Sequence, residues 1–447
     1  MCADFTEFAP RRTGTRPADG PLDWAGYGEQ RQRAAERTGA AESVRCGLGS
    51  VGSGRAVLIA FEFGFLGGSV GEEAGARVVD AFDRARELRL PVVSLVASGG
   101  SRMQEGIRAL TQLQTIAQAC SRTRRAGLPH VAVLRDPTTG GMWASLAAGA
   151  DVVLAVPGAE VAFGGSRVRP AEESGEAFTA AGKFAAGQVD RLVPEDELPA
   201  VLAELMDLLR PGRAVPESVA PPAPPPRSPA PETGRAPGAG LPETGWDAVQ
   251  RARATGRPRA VEHLDHCFSR RFALSGDRAG GVDSGMLCGI GEHEGRPVAY
   301  AAQTGTANTP AGFRTAARLV RLADRLRLPV LTLVDTPGAA NGAAAELAGA
   351  GPAIGELFTA VAEAEVPITT LVIGEGGSGG ALALAAPGAT WITADAYFAV
   401  IAPESAASIL KLPPEQVPHL ADQLRLRPRD LLELGFVRGI LDGPPPG

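Results

Sequence analysis

Lysine is nearly missing from this chain. Of its 44 basic residues only Lys183 and Lys411 are lysines, and the formal net charge is −6. That balance excludes nucleic acid and anionic membrane as main partners, because both are gripped through excess positive charge. Histidine is also rare, at five. The five cysteines (Cys2, Cys46, Cys120, Cys267 and Cys288) are scattered, odd in number and without a C-x-x-C pair. This spacing excludes a disulfide framework and a zinc cluster, and it is expected of reduced thiols. No apolar run reaches the ~18 residues of a membrane span, and the N-terminus lacks the apolar segment of a secretory signal. A soluble, cytoplasmic protein without bound metal is expected.

Glycine is what the chain has in quantity, 57 residues, within an apolar fraction of 44% that suffices for sizeable cores. The densest stretch is Val372-Ile-Gly-Glu-Gly-Gly-Ser-Gly-Gly-Ala-Leu-Ala-Leu384. The apolar run Ile368–Ile373 predicts a buried strand, the glycines at 374, 376, 377, 379 and 380 a sharp turn, and the Ala/Leu run a helix. Glycine lets the backbone turn tightly and come close to a ligand. The helix start presents unpaired N–H groups at the positive end of its dipole. Such a corner suits a phosphate, a carboxylate or an oxyanion. Two other patterns overlap it. Gly374-x-Gly376-x-x-Gly379 matches a dinucleotide fingerprint, but it lies near the end of the chain and no acidic residue closes a following strand. Gly376-x-Ser378-x-Gly380 matches a nucleophile elbow, whose histidine would have to be His419 in a polar stretch.

The unit occurs twice. Arg89-Leu-Pro-Val-Val-Ser-Leu-Val-Ala-Ser-Gly-Gly100 aligns without gaps on Arg327-Leu-Pro-Val-Leu-Thr-Leu-Val-Asp-Thr-Pro-Gly338. Leu128–Gly141 then parallels Val366–Gly380, Gly140-Gly141 falling on Gly379-Gly380 with one extra residue in the second copy. Self-similarity at a long period means two homologous domains. Two equivalent anion corners point to a reaction in which two oxyanions develop.

In chain order, residues 1–50 are expected to be an irregular extension with one polar helix near 25–41. Residues 51–210 form the first domain, with strands at Val57–Phe63 and Val92–Val96, a helix over Glu72–Leu88 and a long helix ending at Arg125. Residues 211–245 are a linker, because Ala220-Pro-Pro-Ala-Pro-Pro-Pro-Arg-Ser-Pro-Ala-Pro231 cannot build a core. Residues 246–447 form the second domain. His263-Leu-Asp-His266 and Cys267 read as ordinary helix residues, since no further ligand cluster completes a metal site.

With these motifs in hand, the first domain resembles the β subunit of acetyl-CoA carboxylase carboxyltransferase, through Phe61-Glu-Phe-Gly-Phe-Leu-Gly-Gly-Ser-Val-Gly71, Ser98-Gly-Gly-Ser-Arg-Met-Gln-Glu105 and Asp136-Pro-Thr-Thr-Gly-Gly141. The second resembles the α subunit, through His266-Cys-Phe268, Gly276-Asp-Arg278, Asp335-Thr-Pro-Gly338, Gly374–Gly380 and Pro403-Glu404 through Ile409. The resemblance implies an α/β fold of two crotonase/ClpP-like ββα superhelix domains in tandem. It implies carboxyl transfer from carboxybiotin, carried on a separate protein, to a coenzyme A thioester, with no protein base. Carried over, Gly140 and Gly141 would hold the thioester enolate, with Gly99 and Gly100 beside the substrate. Gly379 and Gly380, followed by Ala381, would hold the biotin ureido oxygen, with Gly338 nearby. Arg102 would contact CoA or serve the structure. The implied partners are a biotin carboxyl carrier protein and biotin carboxylase, since the chain has no biotinyl-lysine motif, together with a second copy in a homodimer or larger homo-oligomer. The family's four-cysteine zinc ribbon is missing here. So is its basic stretch, replaced by the uncharged Gln303-Thr-Gly-Thr-Ala-Asn-Thr-Pro-Ala-Gly312. The same enolate chemistry would also serve a malonyl-CoA or malonyl-carrier-protein decarboxylase, the alternative function.

Overall fold

The computed structural model describes residues 4–9, 17–166, 173, 175–210, 215–216, 218, 220–225 and 240–441. The chain divides into two units. The first comprises Met1–Arg213 with Arg278–Gly280, the second Ala214–Asp277 with Gly281–Gly447.

Each unit is built on an 8-stranded sheet. In the first, Val44–Val51 and Gly54–Phe61 form an antiparallel hairpin, and Val92–Ser98, His130–Thr139 and Val152–Ala155 add to it in parallel. These parallel strands are continuous apolar runs, as strands covered on both faces must be. Parallel neighbours need crossovers, and the helices Glu72–Leu88 and Gly106–Arg125 supply two of them. The first helix buries Ala74, Val78, Ala81, Phe82 and Ala85 along one stripe. That stripe lies in one core with Val57, Ile59, Val92 and Val96. Each fully buried Val or Phe contributes roughly 1.5–3 kcal/mol.

The second unit repeats the plan. Met286–His293 and Arg296–Gln303 form the hairpin, and Val330–Thr336, Ile368–Gly377 and Thr390–Thr393 follow in parallel. Strand partners repeat at a constant offset of 238 residues: Val92 with His130 becomes Val330 with Ile368, and Ser98 with Thr138 becomes Thr336 with Gly376. The extra residue expected in the second copy is therefore not there. Gly-Gly does not fall on Gly-Gly: the common register sets Gly140 on Ser378 and Gly141 on Gly379. Both copies break the ladder at one point, between Val96 and Ser98 and between Val334 and Thr336. Such irregularities re-aim the chain at sheet rims, and here they send both strands into their glycine corners.

Two expectations are corrected. The helix expected near 25–41 is present as Tyr27–Thr38, but the described residues around it are not all irregular: Val44–Val51 is a full strand, and Thr6–Glu7 adds at its edge. Gly47 and Gly49 interrupt the apolar alternation and hid that strand. A Cβ on Gly47 would meet the Thr6 carbonyl oxygen at 2.3 Å, so the close edge pairing requires glycine. The proline-rich linker is anchored at one end, with Pro222, Pro224 and Pro225 buried. The last two line a small cavity of the second unit with Arg257, Pro258 and His263. The rest of the proline run, from 226 to 231, lies outside the described residues.

Candidate active site

In the first unit, the strand Val92–Ser98 ends at Gly99-Gly100, and His130–Thr139 ends at Gly140-Gly141. The two turns touch: a Cβ on Gly140 would meet the Gly100 Cα at 3.1 Å. Gly100 has φ 106° and Gly140 φ 65°, conformations that a Cβ disfavours. Most of the amides here are already taken. Gly99 donates to the Gly67 carbonyl at 2.9 Å, and Gly140 to the Ala162 carbonyl at 3.1 Å. Gly100 donates to Ser98 Oγ at 3.1 Å. The expectation that Gly140 supplies an oxyanion donor is corrected, because strand pairing uses its N–H. Gly99 and Gly100 likewise shape the turn rather than offer amides. Gly141 and Met142 open a helical segment that runs into a wide turn over Trp143–Ala147, so their N–H groups have no acceptor one turn back. Ser145 Oγ donates to the Gly141 carbonyl at 2.7 Å and pins that first turn.

Arg102 is 1% exposed and has no reach to solvent. Its guanidinium donates to Glu42 Oε2 at 3.0 Å, Ser43 Oγ at 3.1 Å, the Ser69 carbonyl at 2.6 Å and Tyr27 Oη at 3.1 Å. Tyr27 in turn donates to Glu105, whose other oxygen accepts from the Glu72 amide at 2.6 Å. Burial pushes the Tyr27 hydroxyl up to about 12, against the pull of Arg102. Burial also pushes the Glu42 carboxyl up, but its bonds to Arg102 outweigh this and hold it below the usual carboxylate range. Backbone bonds from Arg102 N to the Val70 carbonyl and from Val70 N to the Gly100 carbonyl, both 2.9 Å, tie this cluster to the corner. Arg102 is thus buried among partners of its own unit and tied through the backbone to the glycine turn.

The second corner is formed by Gly338, φ 140°, and the turn at Ser378, φ 57°. Gly338 donates to Thr336 Oγ1 at 3.1 Å, so its amide is also spent. Gly379 and Gly380 lie in the first turn of a short helix, Ser378–Leu382, that has no side-chain cap. Gly380 is packed tightly, since its Cβ would meet the Ala339 nitrogen at 2.5 Å, while a Cβ on Gly379 would meet nothing within 4 Å. Gln303 Nε2 donates to the Gly380 carbonyl at 3.0 Å. This fixes the peptide plane that also carries the Ala381 N–H. Asp335 closes the corner from behind, with both oxygens 2.7 Å from Arg257 Nη2 and Oδ1 accepting from the Glu375 amide at 3.1 Å.

Sequence reasoning missed Glu42, Tyr27, Gln303, Arg257 and the pair formed by Arg253 with Glu375, at 2.9 Å, and with Glu404, at 2.6 Å. Apart from Glu375, which lies within the glycine stretch itself, all are distant in sequence from the glycines they support. Among the described residues, no group of three or more His, Cys, Asp or Glu side chains could hold a metal ion. Among the same residues, no helix is long and apolar enough to cross a membrane.

Comparison with known proteins agrees with this geometry. Residues 21–189 match the carboxyl transferase domain family, and residues 243–447 match the family described as acetyl co-enzyme A carboxylase carboxyltransferase-like. The acetyl-coenzyme A carboxylase carboxyl transferase subunits beta/alpha of Salinispora tropica are 38% identical, over 99% of this chain and 80% of that one. The Mycobacterium bovis protein named "Probable biotin-dependent acyl-coenzyme A carboxylase beta3 subunit" is 33% identical, over 93% of this chain and 83% of that one. A crystal structure of transcarboxylase 12S, a hexamer with methylmalonyl-coenzyme A and methylmalonic acid bound, superposes with a TM-score of 0.76 at 21% identity, over 98% of this chain and 84% of that one. The fold is therefore two crotonase-like domains in tandem. The chain belongs to the acetyl-coenzyme A carboxylase carboxyl transferase beta/alpha family, and it is an acyl-CoA carboxylase carboxyltransferase with its β-like and α-like parts in a single polypeptide.

Proposed function

We propose that the enzyme moves a carboxyl group from carboxybiotin, borne by a separate carrier protein, to the α-carbon of a short acyl-CoA such as acetyl-CoA. The observation that carries this reading is the duplicated corner: two strand-to-helix turns at one offset, each with first-turn amides left without an acceptor. Carboxybiotin supplies the carboxyl group. The work of this chain is to hold two oxygens on which negative charge grows. At the first corner, Gly141 N–H and the following Met142 N–H are the donors for the thioester oxygen as the α-carbon loses its proton. At the second, Gly379 and Gly380 N–H, with Ala381 behind them, are the donors for the ureido oxygen. The open side of Gly379 leaves room for such a group. Preorganised donors of this kind are worth about 3–4 kcal/mol each. The α-proton passes to the biotin nitrogen that has given up the carboxyl group, so no imidazole is needed, which agrees with the scarcity of histidine.

The partners that this reading requires are a biotin carboxyl carrier protein with its carboxylase, and a second copy of this chain. The second copy is supported by exposed apolar side chains: Met103, Ile107 and Leu110, 70%, 66% and 51% exposed, in the first unit, and Val400 and Ile409, 75% and 69% exposed, in the second. Active protein that elutes as a monomer of 45.9 kDa would argue against the dimer. The test of function is to incubate the enzyme with malonyl-CoA, with and without free biotin. Loss of malonyl-CoA that depends on biotin supports carboxyl transfer. Loss without biotin makes the enzyme a decarboxylase instead, and no loss removes the reading for this acyl group.

A further inference from the structure

Among the differences between the two corners, two place a polar side chain at the short helix turn. At the 238-residue offset Ser378 occupies the place of Gly140, and through the strand pairing, at an offset of 242, Gln303 occupies that of Phe61. Ser378 holds φ at 57° where Gly140 has 65°. Glycine adopts that conformation freely and a residue with a Cβ does not, so the fold alone would favour glycine at both sites. The serine is nevertheless there, it is exposed, and its hydroxyl has no hydrogen-bond partner among the described residues.

The packing shows which side of the turn it occupies. Gly377 and Gly380 face inward, their Cβ positions 2.2 Å from the Pro337 carbonyl carbon and 2.5 Å from the Ala339 nitrogen. Ser378 and Gly379 are both exposed, and nothing stands within 4 Å of a Cβ on Gly379. Behind the same turn sits Gln303, fully buried, with Nε2 on the Gly380 carbonyl and Oε1 without any partner. A buried amide oxygen left unpaired is uncommon and costs stability. What Gln303 gains is the bond of its NH₂ to the Gly380 carbonyl, which holds the 380–381 peptide, where the first unit has Phe61.

We infer that the Ser378 hydroxyl is a catalytic hydrogen-bond donor at the second corner, acting on the oxygen held by the Gly379 and Gly380 amides, with Gln303 as the positioning residue behind it. A hydroxyl rotates to aim its proton and so can follow an oxygen as charge accumulates on it, which a fixed amide cannot. The first corner, with Gly140 in this place, works with amides alone. This inference rests on the carboxyl-transfer reading and assigns the donor to the biotin side of it.

The test uses Ser378→Gly and Ser378→Ala in the full chain, with biotin-dependent loss of malonyl-CoA and thermal unfolding as readouts. Ser378→Gly relaxes the turn, so its melting temperature is expected to be no lower than wild type, while kcat/KM for biotin falls at least tenfold and KM for malonyl-CoA is unchanged. Ser378→Ala is expected to lose as much activity. Biotin-dependent wild-type turnover beside a Ser378→Gly variant within twofold of it overturns the inference and leaves the carboxyl-transfer reading standing. A loss confined to Ser378→Ala also overturns it, since the defect would then belong to the backbone. Wild-type turnover indifferent to biotin overturns the parent reading, and this inference with it.

Discussion

Replacing Arg102 by methionine is expected to damage the first unit through Glu42. The carboxylate of Glu42 is fully buried, and Arg102 supplies its main counter-charge, with Arg31 more distant at 3.6 Å. Removing the guanidinium leaves that charge without its close partner and frees the Ser69 carbonyl, the Ser43 hydroxyl and the Tyr27 oxygen from one donor at once. Breaking a buried pair from one side costs about 3–5 kcal/mol. With a urea m-value of about 2–3 kcal/mol/M, the unfolding midpoint should fall by roughly 1–2.5 M. Adding Glu42→Gln should recover part of the loss, because the stranded charge is the larger share of it. Circular dichroism through a urea series measures both, and malonyl-CoA kinetics on the folded fraction should show kcat falling more than KM rises. Unchanged stability with a raised KM for acyl-CoA would refute this reasoning and place Arg102 on the substrate.

Further outcomes follow from single residues. His130 is buried with Nε2 2.7 Å from Ser94 Oγ, and burial, aided by Arg124, pushes its pKa down to about 3. The unfolded chain binds that proton near pH 6.5 and the folded one does not, so stability is full above pH 6.5 and falls between there and pH 3. By pH 5 the loss is about 2 kcal/mol, and the acid slope of urea midpoints should flatten in His130→Gln. Gly380→Val should disorder the second corner, because its Cβ would meet backbone at 2.5 Å. Gly379→Ala should fold with unchanged or slightly higher stability yet lose turnover, its methyl filling the open side. Equal melting temperatures for the two variants would contradict this contrast. Gly141→Val should also abolish turnover, and a wild-type rate would remove Gly141 from the site.

The strands and the glycine corners could be read from the sequence because apolar runs and glycine clusters are local signals. The apolar spacing over Glu72–Leu88 marks the helix that the chain forms there. What escaped reading was set by distance and by backbone conformation. Ser378 looks like a spacer within Gly-Gly-Ser-Gly-Gly until its φ shows that it takes the place of a glycine. Arg102 reads equally as a CoA contact or a structural arginine until Glu42, sixty positions earlier, is found beneath it. The Val44–Val51 strand was concealed by the glycines that let Thr6–Glu7 lie against it. In each case a residue far along the chain decided the role, and composition holds no trace of that.

The most direct measurement is a crystal structure of the enzyme with a non-reactive malonyl-CoA analogue and biotin both bound. The thioester oxygen is expected about 2.7–3.1 Å from the Gly141 or Met142 nitrogen, and the biotin ureido oxygen at the same distance from the Gly379 or Gly380 nitrogen. Either oxygen found against other groups, with its glycine corner empty, would contradict the claim that paired backbone cradles carry the reaction.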